Sequence, residues 1–290
     1  MAVETIRLTE LFEQARTEQA QTPSRKLAPD RHPNRDFFVA DILDWALKDI
    51  RASMEHPMFS LAKKPDTRIR RYQHNGVSVT ITPSVLGIAT IWDKDILIYA
   101  ISQLVEGLNR GQATSRIVRL KAYDLLVATN RHTGGRNYDL LVESFRRLKG
   151  TQIETNIVTD GRRERRGFGL LEEWRIVEKS PSSDRMVAIE LTLSDWLYRA
   201  VCAREVLTLS ADYFRLDGAL DRRLYEIARK HCGRQESWTI GLELLHKKTG
   251  STASLRKFRQ LMKQTADSNL LPEYALSYQA ERDQVNFTRR

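Results

Sequence analysis

The chain has 290 residues, 41% of them hydrophobic and 29% charged, the balance of a folded protein rather than a disordered one. That length is enough for two domains of ordinary size. Lys and Arg number 47 against 37 Asp and Glu, and a formal net charge of +10 favours a polyanion as partner, nucleic acid first and an anionic surface second.

The opening M-A-V-E-T-I-R-L-T-E lacks the apolar run of a signal peptide. Residues 1–20 are predicted to form a short amphipathic helix, with Leu8, Leu11, Phe12 and Ala15 on one face. The stretch Q-T-P-S-R-K-L-A-P-D-R-H-P follows with three prolines, so 1–33 is expected to be a mobile N-terminal segment and linker. From Arg68 the chain carries a hairpin signal: Asn75-Gly76 suits a type I′ turn, and Val77, Val79 and Ile81 alternate. Asp93 is placed to cap a helix through Asn109, with Ile96, Leu97, Ala100, Ile101, Leu104 and Leu108 inward. Its apolar run, I-L-I-Y-A-I at 96–101, is too short to span a bilayer, so no membrane partner and a cytoplasmic location are expected.

At Ile117, I-V-R-L reads as a short strand and K-A-Y-D-L-L-V-A-T-N as a short helix. The loop R-H-T-G-G-R then turns the chain into a second helix, N-Y-D-L-L-V-E-S-F-R-R-L-K, ending at Gly150 as its C-terminal cap. Two helices joined by a glycine turn are the skeleton of a helix-turn-helix. Thr151, Ile153, Thr155 and Ile157 share one side of a strand, and Leu170, Trp174 and Ile176 suggest its return. The intervening D-G-R-R-E-R-R-G-F-G would then be the tip of a wing whose crowded arginines a phosphate backbone relieves. A third strand, R-M-V-A-I-E-L, and the helix L-S-D-W-L-Y-R-A-V complete this half.

The order then repeats. L-D-R-R-L-Y-E-I-A-R-K matches the helix at 93–109, S-W-T-I the short strand and G-L-E-L-L-H-K-K-T-G the first short helix. Phe258-Arg259 stands where Phe145-Arg146 did, and E-Y-A-L-S-Y-Q-A returns on Q-V-N-F through a turn at 281–283. The expectation is an α+β protein of two tandem winged-helix domains, 34–205 and 206–290.

In the first recognition helix Arg136, Glu143 and Arg147 fall along one outward line, beside Asn137 and Arg146; arginine reads guanine and a carboxylate accepts from cytosine. A solvated face with a Glu143–Arg147 ion pair is the competing reading. Between His246 and Lys263 there are six cations and no acid: Lys247, Lys248, Arg256, Lys257, Arg259 and Lys263, with Gln260 among them. A merely solvated helix would mix signs. These residues, with Arg162, Arg163, Arg165 and Arg166 of the arginine turn, are the predicted DNA contacts, the turn supplying affinity and the helices discrimination.

No phosphate-binding glycine loop is present, and the six histidines show no metal-ligand spacing, so no catalytic residue, metal or cofactor is expected. Cys202 and Cys232 form no C-x-x-C and are expected as reduced core residues.

Several strings, S-M-E-H-P-M-F-S-L-A-K-K-P-D-T-R-I-R-R-Y, D-K-D-I-L-I-Y-A-I-S-Q-L, Y-D-L-L-V-A-T-N-R-H-T-G-G-R, G-R-R-E-R-R-G-F-G-L and A-R-K-H-C-G-R-Q, resemble the plasmid replication initiator protein A family of proteobacteria from about Arg35 to near the end. The resemblance implies a non-enzymatic protein that binds repeats in double-stranded DNA at a plasmid origin. It also implies help in opening a neighbouring A·T-rich region, host helicase and initiator proteins as further partners, and self-repression as a homodimer. A repressor of the same fold without a replication role, and a nicking enzyme using a tyrosine, are the rival expectations.

Overall fold

The computed structural model describes residues 25–33, 46–180 and 183–290. The helix expected over 1–20 lies outside the described residues. Among them the helices and strands fall into two units with the same wiring.

The first unit begins with β1 (Lys48–Ile50) and a single helical turn, α1 (Arg51–Glu55), then the hairpin β2 (Arg70–His74) and β3 (Val77–Thr82). Asn75 and Gly76 at its tip have φ of 46° and 74°, the positive values that a type I′ turn demands. Next come α2 (Lys94–Asn109), β4 (Ile117–Lys121), α3 (Ala122–Ala128) and α4 (Gly135–Gly150). After α4 the chain makes β5 (Gln152–Thr155), β6 (Arg166–Gly169), β7 (Leu171–Ser180), β8 (Ser183–Leu193), α5 (Asp195–Cys202) and β9 (Val206–Thr208), the last pairing back with β1. In the second unit a 3-10 turn at 211–215 leads into α6 (Ala219–His231), β10 (Ser237–Gly241), α7 (Leu242–Thr249), α8 (Leu255–Ser268), β11 (Tyr274–Gln279) and β12 (Gln284–Arg289).

Strand order makes the repeat explicit. In the first unit the sheet runs β4-β8-β7 and in the second β10-β12-β11, all antiparallel. Both read helix, strand, two helices, hairpin, with the strand before the helix pair beside the last strand of the hairpin. The helix after the glycine turn packs the same aromatic inward in each case, Phe145 and Phe258, both fully buried. The first unit differs by an excursion: β5 and β6 leave α4 and join β2 and β3 in a separate four-stranded sheet of order β2-β3-β5-β6.

That excursion corrects the reading of the arginine turn. The strand after Thr151 does not return along Leu170–Ile176; it pairs with β6, while β7 pairs with β8. Alternation reports which face of a strand is buried but not which strand it bonds to, and the chain changes sheets at the buried Leu170. The arginines therefore cap the four-stranded sheet, and the hairpin that follows α4 in the repeat is the one formed by β7 and β8.

Two apolar cores hold the units, one drawn from residues 50–201 and one mainly from 209–287. They interlock, because Met54 of α1 and Ile98 of α2 are buried in the second core. Hence α2 is enclosed on nearly every side over its first turns, Lys94, Asp95 and Ser102 included, instead of showing one apolar stripe. Asp93 does not cap it: its carboxylate accepts from Thr90 N and from Arg147. Nor does Gly150 act as a left-handed cap. It is the last residue of α4, and a Cβ there would fall 2.7 Å from Ser84 Cβ, so its role is close packing. Of the cysteines, Cys232 is buried but Cys202 is exposed.

Between the units lies a network of buried charge. Lys94 Nζ sits 2.6 Å from Asp49 and 2.9 Å from Glu226, while Arg222 meets Asp95 at 2.6 Å and Arg223 meets Glu226 at 2.9 Å. Arg223 also donates to the carbonyls of Ser53, Met54 and Lys248, so its guanidinium joins both units. Burial pushes the Glu226 carboxyl up, but Lys94 and Arg223 outweigh it and hold it below the usual range. Residues 25–33, part of the expected linker, are held against this body: Arg25 pairs with Asp221, Ala28 exchanges bonds with Arg215, and His32 Nε2 lies 2.7 Å from Arg131 O.

Candidate nucleic-acid interface

The two helices that follow the glycine turns, α4 and α8, present the candidate site. Ser254 starts α8 by accepting from Lys257 N. Phe258, Met262 and Thr265 then face the core, which turns Arg256, Lys257, Gln260 and Lys263 to solvent. Arg256 has no side-chain partner among the described residues. Lys257 Nζ donates to Gln260 at 3.0 Å, and Lys263 lies over the Tyr278 ring. No carboxylate among the described residues neutralises these three cations.

The other cations expected to act with them are engaged. Lys248 is buried, 3.6 Å from Glu55, and burial lowers its pKa. Lys247 pairs with Glu243 one helical turn earlier. Arg259 is fixed by both carboxylate oxygens of Asp283, at 2.8 and 2.9 Å, and Tyr278 donates to the same carboxylate at 2.6 Å. The Arg259 guanidinium holds Asp283 down at about 2. Six uncompensated charges thus become three. The acids responsible lie before His246 or far along the chain, where a window on one helix cannot find them.

On α4, Leu141, Ser144, Phe145 and Leu148 are buried. Arg136, Asp139, Leu140, Glu143 and Arg146 are exposed, and Asn137 is half-buried with its amide on Gly134 O at 3.4 Å. Arg147 is not outward. Its guanidinium grips buried Asp93 through two 2.8 Å bonds, with Glu143 3.7 Å away, and these partners raise its pKa further. The outward line Arg136–Glu143–Arg147 therefore loses its last member to the fold, and the Glu143–Arg147 pair is present.

In the arginine turn the charges are spread over local partners. Arg163 donates to Gly76 O at 3.1 Å, Arg165 pairs with Glu154, and Arg166 reaches Asp195 at 3.2 Å and Glu164 at 3.7 Å. Arg162 is exposed without a side-chain partner among the described residues. The turn's neighbours are the β2–β3 tip, the start of α5 and Glu205, whose carboxylate accepts from Asp160 N. Its hydrogen bonds and ion pairs run to these neighbours and to Glu154 of β5, and none among the described residues reaches the exposed faces of α4 or α8. Sequence reasoning passes over Arg282, exposed at the β11–β12 turn that Asp283 ties to α8, and Lys63-Lys64, whose only signal is an adjacent pair before a proline.

No helix among the described residues is long and apolar enough to cross a membrane. Among the same residues no three His, Cys, Asp or Glu side chains are grouped to hold a metal ion.

Comparison with known proteins accords with this architecture. Domains 2 and 3 of RctB, a chain 13% identical, superpose with a TM-score of 0.59 over 86% of this chain and 98% of that one. A second crystal structure of the same RctB domains, 14% identical, gives 0.53 over 86% and 96%. At such identities the likeness is one of fold. By sequence, a protein of Wigglesworthia glossinidia brevipalpis named "Putative replication protein" is 41% identical over 261 residues, 88% of this chain and 94% of the relative. The family model for Replication initiator protein A matches residues 48–276. With most of its length matched by that model and by a close relative, the chain belongs to the replication initiator protein A family.

Proposed function

We propose that the protein is a sequence-specific, double-stranded DNA-binding initiator of plasmid replication, built from two winged helices and acting without catalysis. In each unit the helix pair, α3–α4 and α7–α8, forms the helix-turn-helix, and β7–β8 and β11–β12 are the wings. The carrying observation is the face of α8, where Arg256, Lys257 and Lys263 project from one side with no carboxylate paired to them among the described residues and Gln260 offers a base-reading amide. A 14-residue helix is about 21 Å long, suited to lie in a major groove about 12 Å wide. With α4 presented by the same wiring, one chain offers two readers to successive segments of one repeat. Origin opening and recruitment of host helicase or initiator proteins would follow from occupancy of such repeats.

Footprinting of the DNA flanking the gene tests this reading. Protected direct repeats at helical-turn spacing are expected, with no covalent protein–DNA product when supercoiled DNA is incubated with protein and Mg²⁺. Uniform, sequence-independent protection would overturn specific origin binding, and a covalent product would overturn the non-enzymatic role.

A further inference from the structure

A cleft of about 590 Å³ opens between the two units along the flank of α4. One wall carries Asn137, Leu140 and Glu143 of α4; the opposite wall carries Phe214, Asp217 and Arg222 of the second unit. Three arginines in it are ion-paired, Arg131 and Arg222 sharing Asp95 and Arg147 with Asp93. Three further cations lining it, Arg31, Lys63 and Lys64, have no carboxylate partner among the described residues. The acids at the mouth are Glu143, which faces Arg147, and Asp217. The cleft therefore holds an uncompensated positive surplus on a concave surface shared by both units, which strengthens the local field.

These cations are mounted rather than trailing. The Arg31 N–H donates to Asn130 Oδ1 at 2.9 Å and Asn130 returns a bond to Pro29 O, while Ala28 is bonded in both directions to Arg215. Arg31 is thus positioned by both units. Lys63-Lys64 run into Pro65 and Asp66, a corner locked by Ile88 N donating to Asp66 O. Gly87 makes this possible: at φ +88° it leaves only 2.8 Å between an added Cβ and Asp66 N.

We infer that this cleft seats the phosphodiester backbone of a DNA duplex where it passes from the α4 reader to the α8 reader, with Arg31, Lys63 and Lys64 as the phosphate contacts. The inference rests on the proposed duplex binding. Duplex DNA is the polyanion favoured because the exposed Leu140 and Glu143 of α4 open into the same cleft whose far wall is the second unit. Ala62, next to Lys63, lines a second pocket with Leu261 of α8, so the Lys63-Lys64 corner lies beside both helices.

The test is the salt dependence of binding of the full chain to a fluorescent duplex of about three helical turns taken from the flanking repeats. Removing one cation that neutralises a phosphate lowers the slope of log K against log salt by about 0.9. Lys63→Ala with Lys64→Ala is expected to flatten it by about two units, and adding Arg31→Ala by about one more. Lysine acetylation of the unmodified protein supplies a second readout: the duplex is expected to shield Lys63 and Lys64, and ATP at the same phosphate concentration is not. An unchanged slope in the triple variant, or equal shielding by ATP, would overturn the inference, the latter pointing to a free nucleotide instead. Absence of any salt-dependent duplex binding by the parent protein would instead overturn the proposed function itself.

Discussion

The two units share their wiring and differ in what they show to solvent. On α8 the outward line Arg256, Lys257, Gln260, Lys263 meets a single acid, Asp267 in the last turn, whereas on α4 the corresponding surface mixes Arg136 and Arg146 with Asp139 and Glu143. A face dominated by cations is attracted to any duplex, because each releases condensed counterions. A face that includes carboxylates is repelled by phosphates everywhere except where a base edge donates to them, as cytosine N4 does. On the proposed function, the two units therefore divide the labour: α8 supplies affinity and α4 discrimination. The matched pairs Phe145-Arg146 and Phe258-Arg259 show the same divergence in miniature. The phenylalanines remain in the cores, Arg146 stays exposed, and Arg259 is drawn to Asp283, tying the β11–β12 turn to the reading helix.

The comparison depends on the two units being held as one body, and the strongest way to break it is at the charge network between them. Glu226 is buried against Lys94, Arg223 and Tyr213, and Glu226→Gln leaves enclosed Arg223 without its carboxylate and Lys94 with Asp49 alone. Removing one partner of a buried pair costs about 3–5 kcal/mol. The substitution is expected to lower the stability to urea by that amount or to split one unfolding transition into two. A loss below about 1 kcal/mol, the worth of a surface pair, would mean the network does not hold the units together.

Acid reaches the same interface by a second route. Burial, aided by Lys248, Arg223 and Lys230 and opposed by Glu55, lowers both His56 and His231 to about 4. Both are neutral in the folded protein, where an unfolded chain takes up protons near 6.5. The unfolded state thus binds more protons between pH 6.5 and 4, and stability falls as pH drops through that window, by up to about 3 kcal/mol per pH unit for two sites. Above pH 7 these residues contribute no slope. Below about 4.5 Glu55 adds to the loss, since Lys230 outweighs its burial and holds it at about 2. Thermal unfolding across pH 4–8 checks this, and His231→Asn should flatten the curve by roughly half.

Much of the fold is legible in the sequence. The hairpin at 70–82, the helix pairs and the terminal β11–β12 return all follow from local periodicity and turn chemistry, and the repeat is visible because order and spacing recur. What escapes is whatever depends on a partner distant in the chain. Nothing around Ile153 says that it bonds to Phe168 rather than to the strand carrying Trp174, so local alternation puts the arginine turn on the wrong hairpin. Arg147 and Arg259 occupy outward helical positions by spacing and are captured by Asp93 and Asp283, 54 and 24 residues away. One signal is available for the interface. Lys94 and Asp95 precede an apolar run that leaves no polar face, so those charges have to find partners inside the protein.

The division of labour between the readers gives the next effect in size. Arg256→Ala with Lys263→Ala should weaken binding to specific and random duplexes alike, by roughly tenfold each at low salt, and flatten the salt slope by about two units. Arg136→Ala or Glu143→Ala should leave the random-duplex affinity within about threefold and instead narrow the gap between specific and random sites, since a good base contact is worth about 1–3 kcal/mol of discrimination. Competition binding with both duplexes separates the two behaviours. Equal loss of specificity from both helices would dissolve the distinction between the units.

The smallest expected effect concerns the segment that only the first unit possesses. Arg165 is largely exposed and its partner Glu154 lies on the neighbouring strand of the four-stranded sheet, a surface ion pair of the kind worth about 0–1 kcal/mol. Arg165→Ala should therefore change the stability to denaturant by less than about 0.5 kcal/mol. It should also leave the salt slope of duplex binding essentially unchanged, because the charge it removes is already matched by Glu154. Were the arginine turn the wing of the first unit, the same substitution would remove a phosphate contact and take a full unit from the slope. The measurement thus decides whether the excursion between α4 and β7 serves the four-stranded sheet or the DNA.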